Sequence, residues 1–242
     1  MLDLGTGLRE LGRTMPLDGS FRGSALVTHM HWDHVQGLPF FAPILAAGAR
    51  LDVYGPPQES GTLEQAFHQF VRPPFFPVTV EQLYGQIAFH DATDTDIEID
   101  GAKVRVRPVP HIGSNNGYRV DLGGFSVAYV ADHQMPHDGS HRVTDAVLEL
   151  CDGVDLLIHD AQYTPAEFAD KNHWGHCTVD FALFVAQEAG ARRLALFHHD
   201  PAHDDDDVDR LLAGARDAVE RAGSSVNEVL AAYEGLTVSM GG

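Results

Sequence analysis

A chain of 242 residues, 44% hydrophobic and 21% charged, can bury a core and is neither a disordered nor a collagen-like polymer, so a single domain of mixed class over residues 1–242 is expected. Its 35 acidic against 16 basic residues give a formal charge of −19, which repels polyphosphate and anionic membranes and argues against large nucleic acid or a membrane as partner. No segment is apolar enough to span a bilayer, and Met1 to Gly7 carry no export signal, so a cytoplasmic protein is expected; Cys151 and Cys177 make neither a disulfide framework nor a Cys-x-x-Cys site.

In chain order, residues 25–28 and 51–54 read as short strands, and Leu63–Phe70 as a helix stopped by Pro73 and Pro74. Residues 103–109, 117–121 and Phe125–Val130 read as strands, the first alternating polar with apolar as a strand with one wet face does. Leu122, Gly123 and Gly124 between the last two signal a hairpin. Strands follow at residues 154–158 and Arg193–Phe197. They alternate with a helix over residues 178–189, capped by Thr178 and stopped by Gly190, and another opened by the acidic run Asp204 to Asp207. Strands first in antiparallel runs, then alternating with helices, favour a layered α/β architecture over a barrel.

Five of these strands run directly into a residue able to bind metal: His29, His111, Asp132, His159 and His198. Strand ends of a packed sheet meet at one edge, so a shared site is expected there. The densest group is Thr28-His29-Met30-His31-Trp32-Asp33-His34. Imidazole and carboxylate suit zinc, and also manganese or iron, and this loop could supply two ligands to each of two adjacent ions.

His29, His31, Asp33 and His34 match in full the His-x-His-x-Asp-His signature of the metallo-β-lactamase superfamily, which the chain resembles from Leu2 to about His203. Leu2 to Arg9 are similar to the strand and glycine turn before that signature, and Gly37-Leu38-Pro39 to the turn after it. The resemblance implies a four-layer αββα sandwich. Because the chain starts at the region matched by Leu2 to Gly7, the first strands are expected to be trimmed or the natural start to lie upstream. It further implies that His29, His31 and His111 hold one divalent ion, Asp33, His34 and His198 a second, and that Asp132 bridges them, with zinc as the metal and Mn2+ or Fe2+ as alternatives. His198 fits the spacing better than His199, which follows the same strand.

Two such ions about 3.5 to 4 Å apart acidify a shared water and polarise a scissile group. The segments Leu157 to Ala161, Trp174 to Thr178 and Leu196 to Pro201 resemble the phosphodiesterase branch that includes the tRNA 3′-processing endonucleases. There His176 would protonate the leaving oxygen and Asp160 would orient it, with Asp160 replacing a glutamate and Cys177 a serine. The bland reading makes Thr178 a helix cap, His176 a solvated loop residue and His159-Asp160 a supporting pair. His133, His137, His141 and His173 lie in neighbouring loops, with at most a place on the rim. The acidic charge and the lack of a basic, glycine-rich insertion turn the expectation from folded RNA to a small phosphodiester such as a cyclic nucleotide. Phe40, Phe41, Phe75 and Phe76 are either its pocket or ordinary packing. A lactone or thioester hydrolase, and a metal-bound sensor without turnover, are the rival readings; a homodimer is the assembly left open.

Overall fold

A computed structural model describes residues 1–241, and the chain divides into two compact units, Met1–Thr93 and Asp94–Gly242. Each carries a β-sheet flanked by helices.

The first unit contains α1 (Leu8–Gly12), β1 (Arg22–Leu26), α2 (Trp32–Val35), β2 (Arg50–Gly55), α3 (Leu63–Phe70) and β3 (Gln86–Asp91). Its three strands pair in the order β1-β2-β3 and all run parallel, not antiparallel as the strand sequence suggests. The reason is that each connection carries a helix, α2 after β1 and α3 after β2, which returns the chain to the same end of the sheet. Leu4, Val27, Val35, Leu51, Val53 and Phe67 fill the core beneath them. Thr62 starts α3 with a capping box, its hydroxyl accepting from the Gln65 N–H while the Gln65 side chain returns to the Thr62 N–H.

The second unit contains β4 (Thr95–Ile99), β5 (Ala102–Pro108), β6 (Asn116–Leu122), β7 (Phe125–Val130), α4 (Asp145–Cys151), β8 (Leu156–Asp160), α5 (Pro165–Lys171), α6 (Val179–Glu188), β9 (Arg193–Phe197), α7 (Asp205–Ala222) and β10 (Glu228–Ala231). Its seven-stranded sheet has the order β10-β9-β8-β7-β6-β5-β4, antiparallel from β4 to β7 and parallel from β7 to β10. Here the expected change from meander to strand-helix alternation is met. β5 buries Val104 and Val106 and turns Lys103, Arg105 and Arg107 outward, where Arg107 donates to Glu149 and Asp96. Asp204 caps α7 by accepting from the Asp207 N–H, and Gly223 ends the helix in the left-handed conformation. Among the described residues no helix is long and apolar enough to cross a membrane.

Because β7, β8 and β9 are parallel, their C-terminal ends lie on one edge of the sheet, and β5, two antiparallel steps from β7, ends there too. Asp160 closes β8, and His111, Asp132 and His198 lie just past the ends of β5, β7 and β9.

Candidate metal centre

In the first unit the candidate ligands follow β1 without a break. His31 caps α2, which is only four residues long, so His29, His31, Asp33 and His34 sit on one tight turn. The His29 ring packs 4.3 Å from both His31 and His34, and His34 Nε2 lies 3.2 Å from Asp33 Oδ2. The turn is braced from behind by Asp3, a buried carboxylate at φ 57°. Its Oδ1 accepts from the Thr28 N–H at 2.7 Å and its Oδ2 accepts from His34 Nδ1 at 2.8 Å. The Thr28 hydroxyl donates to Asp3 and leaves its oxygen 3.0 Å from His29 Nδ1. With Nδ1 of both rings tied down, the lone pair of each sits on Nε2. Backbone bonds hold the glycine turn against this loop, from the Leu4 N–H to His34 O and from the Gly37 N–H to Leu4 O. Gly37 allows that approach, since a Cβ there would overlap the Gly5 carbonyl. Sequence reasoning read Leu2 to Gly7 as scaffold and missed Asp3 as a positioning residue; an acid beside a tight glycine turn was the available signal.

In the second unit Asp132 is buried and its two oxygens face different histidines: Oδ2 lies 3.5 Å from His111 Nε2 and Oδ1 lies 3.5 Å from His198 Nε2. His111 Nδ1 donates to the Gly175 carbonyl at 2.7 Å, which leaves Nε2 toward Asp132. Gly175 must be glycine: its φ is +99° and a Cβ would overlap the His111 ring. Asn115 and Gln134, which sequence reasoning also missed, fix the surrounding loops. Asn115 donates to the Asp132 carbonyl at 2.8 Å, while Gln134 accepts from the Gly175 N–H and donates to Asn172 O. His198 holds its place at φ 58°, and His199 turns away, within 3.2 Å of the Ala232 carbonyl. Of the two adjacent histidines, it is His198 that reaches Asp132.

His176 Nδ1 donates to Asp160 Oδ2 at 2.9 Å, and its ring stacks on His198 at 4.9 Å between centroids. Asp160 is fully buried and also accepts from the backbone N–H groups of His133 and Gln162, so three donors converge on its two oxygens. Thr178 caps α6 as expected, yet His176 is half-buried on Asp160 and is not a solvated loop residue. His159 ends in a support role: its Nδ1 donates to Asp160 O and its Nε2 lies 2.9 Å from His133 Nδ1. Burial shifts both of these rings toward the neutral form, His133 strongly. His133, expected at the rim, is buried because β7 carries it beneath α6 against Phe181; His137, His141 and His173 are exposed. Cys177 donates to Asp160 O where the phosphodiesterase branch has serine, and burial drives its thiol pKa up, as it drives that of Cys151 to about 12. Both thiols are free and buried.

A family model described as "Beta-lactamase superfamily domain" matches residues 15–199, most of the chain. The chain belongs to the metallo-β-lactamase superfamily. Within it the protein is distantly related to ribonuclease Z and PhnP-type phosphodiesterases. It is 26% identical to the ribonuclease Z of Synechococcus sp. strain WH7803, over 84% of this chain and 76% of that enzyme. Its fold is that of the metallo-β-lactamase fold protein YhfI from Bacillus subtilis, with a TM-score of 0.70 at 22% identity, over 97% of this chain and 84% of that one. It is also that of a diphosphatase from the PhnP family, with a TM-score of 0.67 at 22% identity, over 99% and 79%.

The donor set fits a metallo-β-lactamase metal site on chemistry and on spacing. Arms of about 2.0 to 2.1 Å at tetrahedral angles put neighbouring donors about 3.3 to 3.4 Å apart. The two contacts of Asp132 in the second unit, each 3.5 Å, come close to that edge. Asp132, His176 and His198 also fall within 4.8 Å of one another; the bond from His176 Nδ1 to Asp160 assigns that nitrogen to the carboxylate. The protein is thus a metal-dependent hydrolase of this fold carrying His/Asp clusters.

Proposed function

We propose that the protein is a dinuclear phosphodiesterase acting on a small phosphodiester such as a cyclic nucleotide. In this reading His29, His31 and His111 hold one ion and Asp33, His34 and His198 the other, with Asp132 common to both, in the ligand order that the family signature supports. When bound, two zinc ions would supply Lewis acidity toward the ester and lower the pKa of water.

The observation that carries the choice of phosphodiester is the His176–Asp160 pair beside Asp132. An alkoxide leaving group needs a proton. His176, its Nδ1–H given to a buried carboxylate, presents Nε2 as the atom that delivers one, while Asp160 fixes the orientation of the ring. The charge of −19 supports a small substrate over RNA.

Metal-loaded protein assayed on bis(4-nitrophenyl) phosphate, a lactone and a thioester tests the reading. Activity on the first is expected; turnover of the acyl substrates alone would replace the phosphodiesterase by an acyl hydrolase, and no turnover of any of them would favour a sensor. The role of His176 is tested separately: loss of its side chain should harm an alkyl leaving group far more than 4-nitrophenolate, which departs without a proton.

A further inference from the structure

The first unit holds an aromatic cleft that the reaction chemistry leaves unused. Trp32, Gln36, Phe40, Phe70, Phe75 and Phe76 line about 210 Å³. Trp32 sits 6.4 Å from the Phe70 ring, and Phe76 meets Phe40 edge-on at 5.9 Å. Trp32, Phe40 and Phe75 are 64%, 57% and 68% exposed. Rings from the same segments, Phe41 and Phe67, are fully buried in the core, so Phe41 is packing while Phe40, Phe75 and Phe76 form the pocket wall. Large apolar side chains gathered in water around a concavity mark a binding surface.

Three features define the occupant. No charged side chain lines the cleft, although the chain carries −19, so the bound group is neutral. The volume is below the roughly 300 to 1,000 Å³ of a pocket for a whole drug-sized ligand, so it takes one flat ring system. Gln36 adds an amide donor and an amide acceptor, which a hydrocarbon ring cannot use and the edge of a base can. Trp32 also lies between His31 and Asp33 in the chain and opens α2 with Asp33 and His34, so the cleft wall and the ligand turn are one piece of backbone.

We propose that this cleft binds the nucleobase of a nucleoside phosphodiester, stacked on the wall of Trp32, Phe40 and Phe75 with its edge read by Gln36. The inference rests on the phosphodiesterase reading and names its substrate class.

Two measurements test it. The first compares kcat/KM of metal-loaded protein on thymidine 5′-(4-nitrophenyl phosphate) and on the matching ester of base-free 1,2-dideoxyribose, which share a leaving group and a sugar and differ only in the base. A preference for the thymidine ester of roughly tenfold or more is expected, cut at least about fivefold by Phe75→Ala and nearly abolished by Phe40→Ala with Phe75→Ala. The second uses adenosine, which has no scissile bond, in a Trp174→Phe background that leaves Trp32 the only tryptophan. Saturable quenching of Trp32 emission is expected, lost in the double variant while its thermal midpoint stays put.

Equal kcat/KM on the two esters with no quenching would overturn the cleft and leave the phosphodiesterase standing. Quenching without turnover of either ester would support base binding and overturn the phosphodiesterase. A phenyl ester preferred as strongly as the thymidine ester, in wild type and Gln36→Ala alike, would overturn the nucleobase in favour of a plain aryl group.

Discussion

The two units build their candidate ligands in opposite ways. In the first, four come from six consecutive positions, 29 to 34, on one turn braced by Asp3. In the second, His111, Asp132 and His198 come from the ends of three strands far apart in the chain, and only the strand directions of the sheet bring them to one edge. A turn fixes its ligands by local backbone and so depends on its bracing bonds. A sheet edge fixes them by the core beneath and so tolerates the loss of any single loop contact better. The contrast teaches where each half is vulnerable.

The largest expected effect is at Asp132, the residue proposed to serve both ions. Asp132→Asn should drop metal content toward zero and remove turnover, measured by elemental analysis beside the phosphodiester assay, whereas His31→Ala should lose one ion preferentially together with activity. Equal loss in the two variants would mean that the turn and the sheet edge are not separable. His176→Ala comes next: full metal content with turnover lowered roughly 10²- to 10⁴-fold on an alkyl phosphodiester. Loss of metal there would make His176 a ligand.

The bracing contacts give a smaller and more direct comparison. Asp3→Ala should weaken metal binding roughly 10- to 100-fold, as removal of a hydrogen-bond partner behind a ligand does, and Asn115→Ala should cost clearly less. A chelator competition titration reads both, and reversal of their order would break the contrast between turn and edge.

The smallest effect concerns the opposite, N-terminal end of the same sheet strands, where Asp155 ties β7 to β8. The Ser126 N–H, opposed by burial and helped by the Ser126 hydroxyl and Arg192, holds the Asp155 carboxyl below its ordinary range. A depressed folded pKa contributes stability that is complete above the unfolded value of about 3.9 and is lost as pH falls through the folded value. Asp155→Asn should therefore lower stability at neutral pH by on the order of 1 kcal/mol or less, read as a lower thermal midpoint, and the gap should begin to close below about pH 4. A gap independent of pH would place the effect in packing.

What the sequence made legible follows the same division. The ligand turn could be read directly, since residue type and spacing are local. The strand-end residues His111, Asp132 and His198 could be singled out because each follows an apolar run, and of the adjacent pair it is His198 that lies beside Asp132. The bracing groups Asp3, Asn115 and Gln134 escaped, since a polar residue in a loop announces its partner only in three dimensions. Among the elements, Leu63–Phe70 was read to the residue. β3, β4 and β10 were not, being half-exposed or four to six residues long, although Asp100-Gly101 between β4 and β5 is a hairpin signal. Helix α5 was also readable in principle from Thr164, Pro165 and Glu167, a capping box with proline at its first position.

His198 sits at φ 58°, a conformation that costs an ordinary side chain roughly 1 to 2 kcal/mol and glycine almost nothing. The metal-free chain would therefore gain stability by exchanging this histidine for glycine. Selection for heat resistance alone would erode the site there first, and a lineage released from turnover would drift the same way. A histidine retained at this position is a mark of continuing use, legible in any set of natural variants without an assay.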